Sequence, residues 1–281
     1  MNNVISTKIS IFRNLKDYKF VKKLTEANKQ EIRSKVEAVL GKDFSTKDNI
    51  HYINSQNITL TLFEGEHVTI SYSTQDYNEK ELLKVNEIKD KLSNALTMAY
   101  SDDYGYLMSD LTKIGSGIRL TSKINLYGVN TMEKADQLQR NLAKLGYSLQ
   151  RTDVKDVFVL NSVCVLGLTE NEILLDFKNT LNKIQDLEIE CLKMLDVNNH
   201  DEFINQAFRS LALLKSSYLM PYDELNKHIS NLIVGNNLGI TNISNAVINQ
   251  LQNLVNEQKE FISQTELKQI ARKVQDILKG E

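Results

Sequence analysis

The sequence predicts an α+β protein: an antiparallel sheet with helices covering one face over about Met1 to Leu168, then an all-α region over residues 169–281. Three observations lead there. Short stretches alternate apolar and polar residues with the period of two expected of half-buried strands. Two of these, Ile58–Phe63 and His67–Tyr72, are separated only by Glu64-Gly65-Glu66, which makes them a hairpin. From Thr169 onward the apolar repeats are helical.

The elements follow in order. Ile5–Leu15 reads as a strand, and Thr25–Leu40 as a helix with Thr25 as N-cap and Gly41 as its stop. A polar stretch of loop character runs to about Asn57, and the hairpin follows it. Glu79–Thr97 is an amphipathic helix with Leu82, Val85, Ile88, Leu92, Ala95 and Leu96 on one face. Tyr104 to Gly117 is a polar loop ending in Gly115-Ser116-Gly117, which lets backbone approach closely. Ile118–Tyr127 is a strand that turns Leu120 and Ile124 one way and Arg119, Thr121 and Lys123 the other. Met132–Leu145 is a helix stopped by Gly146, and Val157–Leu166 is an apolar run. The capping box Thr169-Glu-Asn-Glu172 opens a long helix, and Phe203–Leu214, Tyr222–Val234 and Thr241–Asn256 read as further helices. A second capping box, Ser263-Gln-Thr-Glu266, opens the last one.

Composition excludes several classes of function. The chain has 281 residues, enough for one large domain or two, and a net charge of −2. That balance provides no electrostatic case for nucleic acid or for an anionic membrane surface. No apolar run is long enough to span a bilayer, and Met1-Asn2-Asn3-Val4 has neither part of a signal peptide. Cys164 and Cys191 sit in apolar patterns without metal-ligand spacing, so buried reduced thiols, a cytoplasmic location and no metal site are expected.

The stretch Gly105-Tyr-Leu-x-Ser109-x-x-Thr112-x-Ile114-Gly-Ser-Gly-Ile-Arg119 resembles the active-site loop of the guanidino (phosphagen) kinases, and most of all that of the bacterial protein arginine kinases. The resemblance extends from Ile5 to about Lys279, including Asn231-Leu-Ile-Val-Gly-Asn-Asn-Leu-Gly-Ile240 of the helical region, which mediates dimerisation in that family. It implies a nucleotide site at Lys8, Arg13 and Arg119, with ATP and magnesium if that site persists. It also implies a guanidinium site at Glu64 and Asp110, the family positions for catalysis and substrate. His67 matches a family histidine.

The departures are specific. Lys8 and Ser10 stand where the family has phosphate-clamping arginines, leaving Arg13. Gly65 replaces a second hairpin glutamate, Thr69 an arginine, and Asp110 a reactive cysteine. A loop carrying a phosphate arginine and a catalytic glutamate is missing between Gly146 and Val157. Gln150 falls at the arginine position, and Arg151 is turned to the other face by a one-residue step.

Phosphoryl transfer depends on positioning and on neutralising phosphate charge, so these losses argue against efficient catalysis. The expectation is a catalytically degenerate kinase-like protein acting as a regulatory or adaptor subunit. Its expected partners are a second copy, an active protein arginine kinase, or the Clp protease machinery. An active or residual arginine kinase and a non-catalytic nucleotide sensor are the alternatives. Asp110 either pairs a guanidinium within an acidic pocket or bonds backbone amides of its own loop.

Overall fold

The computed structural model describes residues 3–41, 44–47, 50–53, 58–74, 79–163, 167–256 and 263–280. Eight strands form one antiparallel sheet: β1 (Val4–Arg13), β2 (Phe44–Lys47), β3 (Ile50–Ile53), β4 (Ile58–Leu62), β5 (Val68–Thr74), β8 (Ile118–Asn125), β9 (Tyr147–Arg151) and β10 (Val157–Ser162). Their order is β2-β3-β4-β5-β1-β8-β10-β9, so β1 and β8 lie at the centre. A two-stranded ribbon, β6 (Tyr100–Ser101) and β7 (Gly105–Tyr106), stands apart from the sheet.

Alternation sorts the sheet into two faces. Ile9 and Ile11 of β1, Ile70 and Tyr72 of β5, Leu120 and Ile124 of β8, and Leu160 of β10 share one core. Helices pack on that face: α1 (Glu26–Leu40), α2 (Glu79–Ala95), α3 (Tyr127–Thr131), α4 (Ala135–Lys144) and the first part of α5 (Glu170–Ser216). The opposite face is polar. Ser10 is paired with Ser71 on one side and Arg119 on the other, and Lys8 with Ser73 and Thr121.

Beyond the sheet, α6 (Tyr222–Asn237), α7 (Asn245–Asn256) and α8 (Gln264–Ile277) close a second core around Leu214, Leu225, Ile229, Leu251 and Val274. The expected α+β sheet followed by helices is the observed architecture.

Several local expectations are corrected. The stretch before Asn57 is not all loop, since β2 and β3 pair there. Each is four residues long, too short to show alternation. The strand expected to reach Tyr127 ends at Asn125, and α3 begins at Tyr127. The expected helix Phe203–Leu214 is present: it lies beyond Asn199, where a φ of −132° and ψ of 20° break the helical path, so that α5 is two helices joined at a kink. α5 therefore serves both cores: Ile173, Phe177 and Ile184 pack against the sheet, and Leu214 packs among the last helices. Cys191 is buried and free, while Cys164 lies outside the described residues.

Candidate functional site

The turn between β4 and β5 determines which carboxylate faces inward. Phe63 and Gly65 take positive φ (68° and 82°), and the Phe63 amide donates to the His67 carbonyl at 3.1 Å. Glu66 is thereby swung under the loop and is fully buried. It accepts hydrogen bonds from Asn14 Nδ2 at 2.7 Å, Ser109 Oγ at 2.8 Å and the Ser109 amide at 3.1 Å. Glu64, the residue the resemblance points to, is exposed at the tip of the turn. Of the two hairpin carboxylates, Glu66 is the one that accepts hydrogen bonds from the loop.

His67 is buried beside it as a pin. The Leu15 amide donates to Nδ1 at 3.0 Å, and Nε2 lies 2.8 Å from the Lys19 carbonyl. Those partners require the neutral ring with its proton on Nε2. Burial lowers its pKa from the ordinary value, against the Lys19 carbonyl and Glu66.

Across from the hairpin, Asp110 caps a short 3-10 turn at Leu111–Lys113. Its Oδ1 accepts from the Thr112 amide at 3.0 Å and the Thr112 hydroxyl at 2.7 Å. Its Oδ2 lies 3.5 Å from Arg119 Nη2 and 3.7 Å from Lys113 Nζ. Partial burial works to raise the carboxyl, but the Thr112 donors, Lys113 and Arg119 outweigh it and hold it below the usual carboxylate range. Lys113 Nζ also lies 3.9 Å from Glu66 Oε1 and 4.4 Å from the centre of the Phe12 ring. One ammonium thus stands between the two carboxylates of the loop. Arg119 also donates to the Thr112 hydroxyl at 2.6 Å.

The three expected nucleotide-binding cations do not come together. Lys8 and Arg119 share the polar face, on neighbouring central strands. Arg13 ends β1 in register with Val68, on the core side, and is 1% exposed. Its guanidinium stacks 3.6 Å from the centre of the Tyr106 ring. It donates to the Phe12 carbonyl at 2.7 Å, the Ser116 carbonyl at 3.1 Å and Glu170 Oε1 at 3.3 Å. Burial lowers its pKa, opposed by Tyr106 and Glu170, and the group stays protonated. Arg13 is a strut within the fold rather than an open phosphate clamp. Gly117 makes room for it: a Cβ there would come 2.7 Å from Arg13 Nη1.

At the far edge, Gln150 pairs with Val159, which pairs with Lys123, so it lies on the polar face. Arg151 is on the other face, donating to Asn130 Oδ1 at 2.7 Å and Asp136 Oδ1 at 3.2 Å. Only residues 152–156 join β9 to β10. Chemically, the loop offers two carboxylates already paired with cations of the same chain, and the polar face carries Lys8, Lys123 and the Asp110-bound Arg119. No group of three His, Cys, Asp or Glu that could hold a metal occurs among the described residues.

Glu66, Lys113 and Tyr106 escaped the sequence reading. The signal available for Lys113 was its place three residues after Asp110. Glu66 showed none, because a two-residue difference within a turn cannot be read from pattern alone.

The family model described as ATP:guanido phosphotransferase, C-terminal catalytic domain, matches residues 1–191. A protein-arginine kinase of Clostridium acetobutylicum is 24% identical, the match covering 98% of this chain and 93% of that relative. One of Staphylococcus haemolyticus is also 24% identical, covering 74% of this chain but 63% of the relative, so the chain spans less than two thirds of that protein. Among solved structures, the substrate-free duplicated taurocyamine kinase from Schistosoma mansoni has a TM-score of 0.58 at 15% identity, covering 67% of this chain and 32% of that one. Lombricine kinase has a TM-score of 0.57 at 14% identity, covering 66% of each. At such identities the structural likeness establishes the fold.

Proposed function

The chain belongs to the ATP:guanido phosphotransferase family, and from that premise we propose that it works by binding rather than by phosphoryl transfer. Its role is that of a regulatory or adaptor subunit among protein arginine kinase-like proteins. One observation carries the reading: Lys113 stands between Glu66 and Asp110, and Arg119 adds a second cation at Asp110. A substrate guanidinium entering beside these carboxylates would have to displace charges the fold already supplies. The enclosed Arg13 and the uncharged Ser10 and Gln150 support the same reading, since each subtracts a phosphate-neutralising group.

ATP with magnesium does not fit these residues as a tightly held pair. The cations on that face are Lys8, Arg119 and Lys123, and Arg119 is already engaged by Asp110 and Thr112. Their shared face nevertheless favours a second reading, a weak non-catalytic nucleotide sensor. The test is transfer of labelled phosphate from ATP to an arginine-bearing protein, together with nucleotide titration. No transfer above background is expected, and turnover of about 1–100 s⁻¹, the usual kinase range, would overturn the proposal. Nucleotide binding lost in Arg119→Ala without any transfer would favour the sensor.

Partners follow as part of the proposal. The helical region bears exposed apolar side chains, among them Phe208, Tyr218 and Leu219. These suit a homodimer or a heterodimer with an active protein arginine kinase, and the Clp protease machinery is the further partner to seek. Light scattering that gives a monomer at about tens of micromolar would count against the homodimer. Affinity capture from the native host tests the other two.

A further inference from the structure

A cavity of about 190 Å³ lies where the sheet meets the helical region. Its walls are mixed: Ile5 of β1, Val157 of β10 and Ile229 and Ile233 of α6 are apolar, while polar side chains, Lys123 among them, line the rest. Gln252 of α7 also lines it. This side chain is 3% exposed, and neither its carboxamide nitrogen nor its oxygen has a hydrogen-bond partner. The neighbouring Asn125 is satisfied: its Nδ2 donates to Ser230 Oγ at 2.8 Å across the junction of the two cores.

A buried amide left unpaired at both ends is costly, and leucine would be as good a helix former at this position. The group is explained if something in the cavity pairs with it. A glutamine carboxamide offers a donor and an acceptor side by side in one plane. Its complement is an acceptor beside a donor, the edge of a primary carboxamide or of an aminopurine. Size agrees, because an apolar cavity of about 150 Å³ accepts benzene. Water alone is the competing occupant, because Lys123, Asn125, Thr152, Asn226 and Ser230 make part of the wall polar, and its signature is that benzamide, adenine and toluene all fail to bind.

We propose that this cavity binds a small, uncharged, flat molecule that pairs its donor–acceptor edge with Gln252 and packs its ring against Ile5, Val157, Ile229 and Ile233. The inference is independent of whether the kinase-type loop is active. Such a ligand would touch both cores at once and fasten α7 to the sheet.

The test is titration of the full chain by calorimetry and ligand-observed NMR with benzamide, adenine and toluene. Benzamide or adenine is expected to bind at least about tenfold more tightly than toluene, which has the ring without the edge. Binding of benzamide alone assigns a carboxamide, and of adenine alone a purine; either supports the site. Gln252→Leu should remove that advantage, and Val154→Phe, which fills the cavity from a turn at its rim, should abolish binding of all three. If Gln252→Leu does not fold, the benzamide–toluene contrast and Val154→Phe decide. No binding of benzamide or adenine to the folded wild-type protein overturns the proposal. Equal binding of toluene and benzamide overturns it too.

Discussion

Lys113 governs the electrostatics of the loop at the residue scale. Two carboxylates close together repel unless a cation joins them, and here the chain supplies that cation itself. Removing it should therefore do two things. Lys113→Met is expected to lower stability by about 1–3 kcal/mol, because the fully buried Glu66 loses its charge partner. It should also create an affinity for an arginine-bearing peptide that the wild-type protein lacks. Calorimetric titration of both proteins checks this, and equal heats would show that Lys113 does not guard the loop. His67 leads to a pH prediction. Its folded pKa lies below its unfolded value of 6.5, so in the window between them the unfolded chain binds the proton more readily. Its contribution is present above pH 6.5 and is lost as pH falls from there toward the folded pKa. Urea midpoints across that window should show this slope in the wild type and not in His67→Gln.

The start of α5 is the joint that matters at the scale of elements. Glu170, in the first turn after the Thr169 capping box, accepts from Arg13 Nη2 at 3.3 Å and Lys89 Nζ at 2.6 Å. It thereby ties α5 to the end of β1 and to α2. Arg13 is far more buried than its partner, so breaking the pair leaves an uncompensated charge inside the fold. Glu170→Ala should destabilise by about 3 kcal/mol, read from chemical denaturation. A Glu170→Ala midpoint within error of the wild type would mean that Tyr106 and the Phe12 and Ser116 carbonyls hold Arg13 unaided. Gly117→Ala should be as damaging for a different reason: φ of 63° is unfavourable for alanine, and its Cβ would meet Arg13, Met108 and the Phe12 carbonyl.

Across the whole molecule, α5 is the axis that makes two cores behave as one. Halfway along it, Glu188 is 2% exposed and accepts from the amides of Gly128 and Val129 at 2.7 and 2.9 Å. Burial pushes its carboxyl up to about 7, against those two amides and with some help from Asp156. A raised carboxyl means that the folded state holds its proton more tightly than the unfolded chain. This contribution to stability is greatest below about pH 4.5 and falls as pH rises toward 7. The integrated effect is on the order of 3 kcal/mol. It opposes that of His67, so Glu188→Gln should remove a falling slope, and an unchanged slope in that variant would refute the assignment. Because α5 is shared, melts followed by a probe in the sheet and by one in the last helices should coincide. Two separated transitions would mean that the kink at Asn199 uncouples the cores.

The sequence by itself determined the alternation of β1, β5 and β8, the capping and stop signals that bound the helices, and the family resemblance of the loop. These are local in character: period two, period 3.6, and residues contiguous in the chain. The separation of Gln150 from Arg151 onto opposite faces was legible for the same reason. What only tertiary structure decided was which groups meet. Whether Glu64 or Glu66 faces the loop depends on positive φ at Phe63 and Gly65. Arg13 is enclosed only because the loop bearing Tyr106 and Gly117 and the start of α5 with Glu170 arrive from two distant parts of the chain. The unpaired Gln252 is an ordinary helix residue until α6, α7 and the sheet close around it. Burial and charge pairing are properties of neighbours in space, and a chain read in order does not display them.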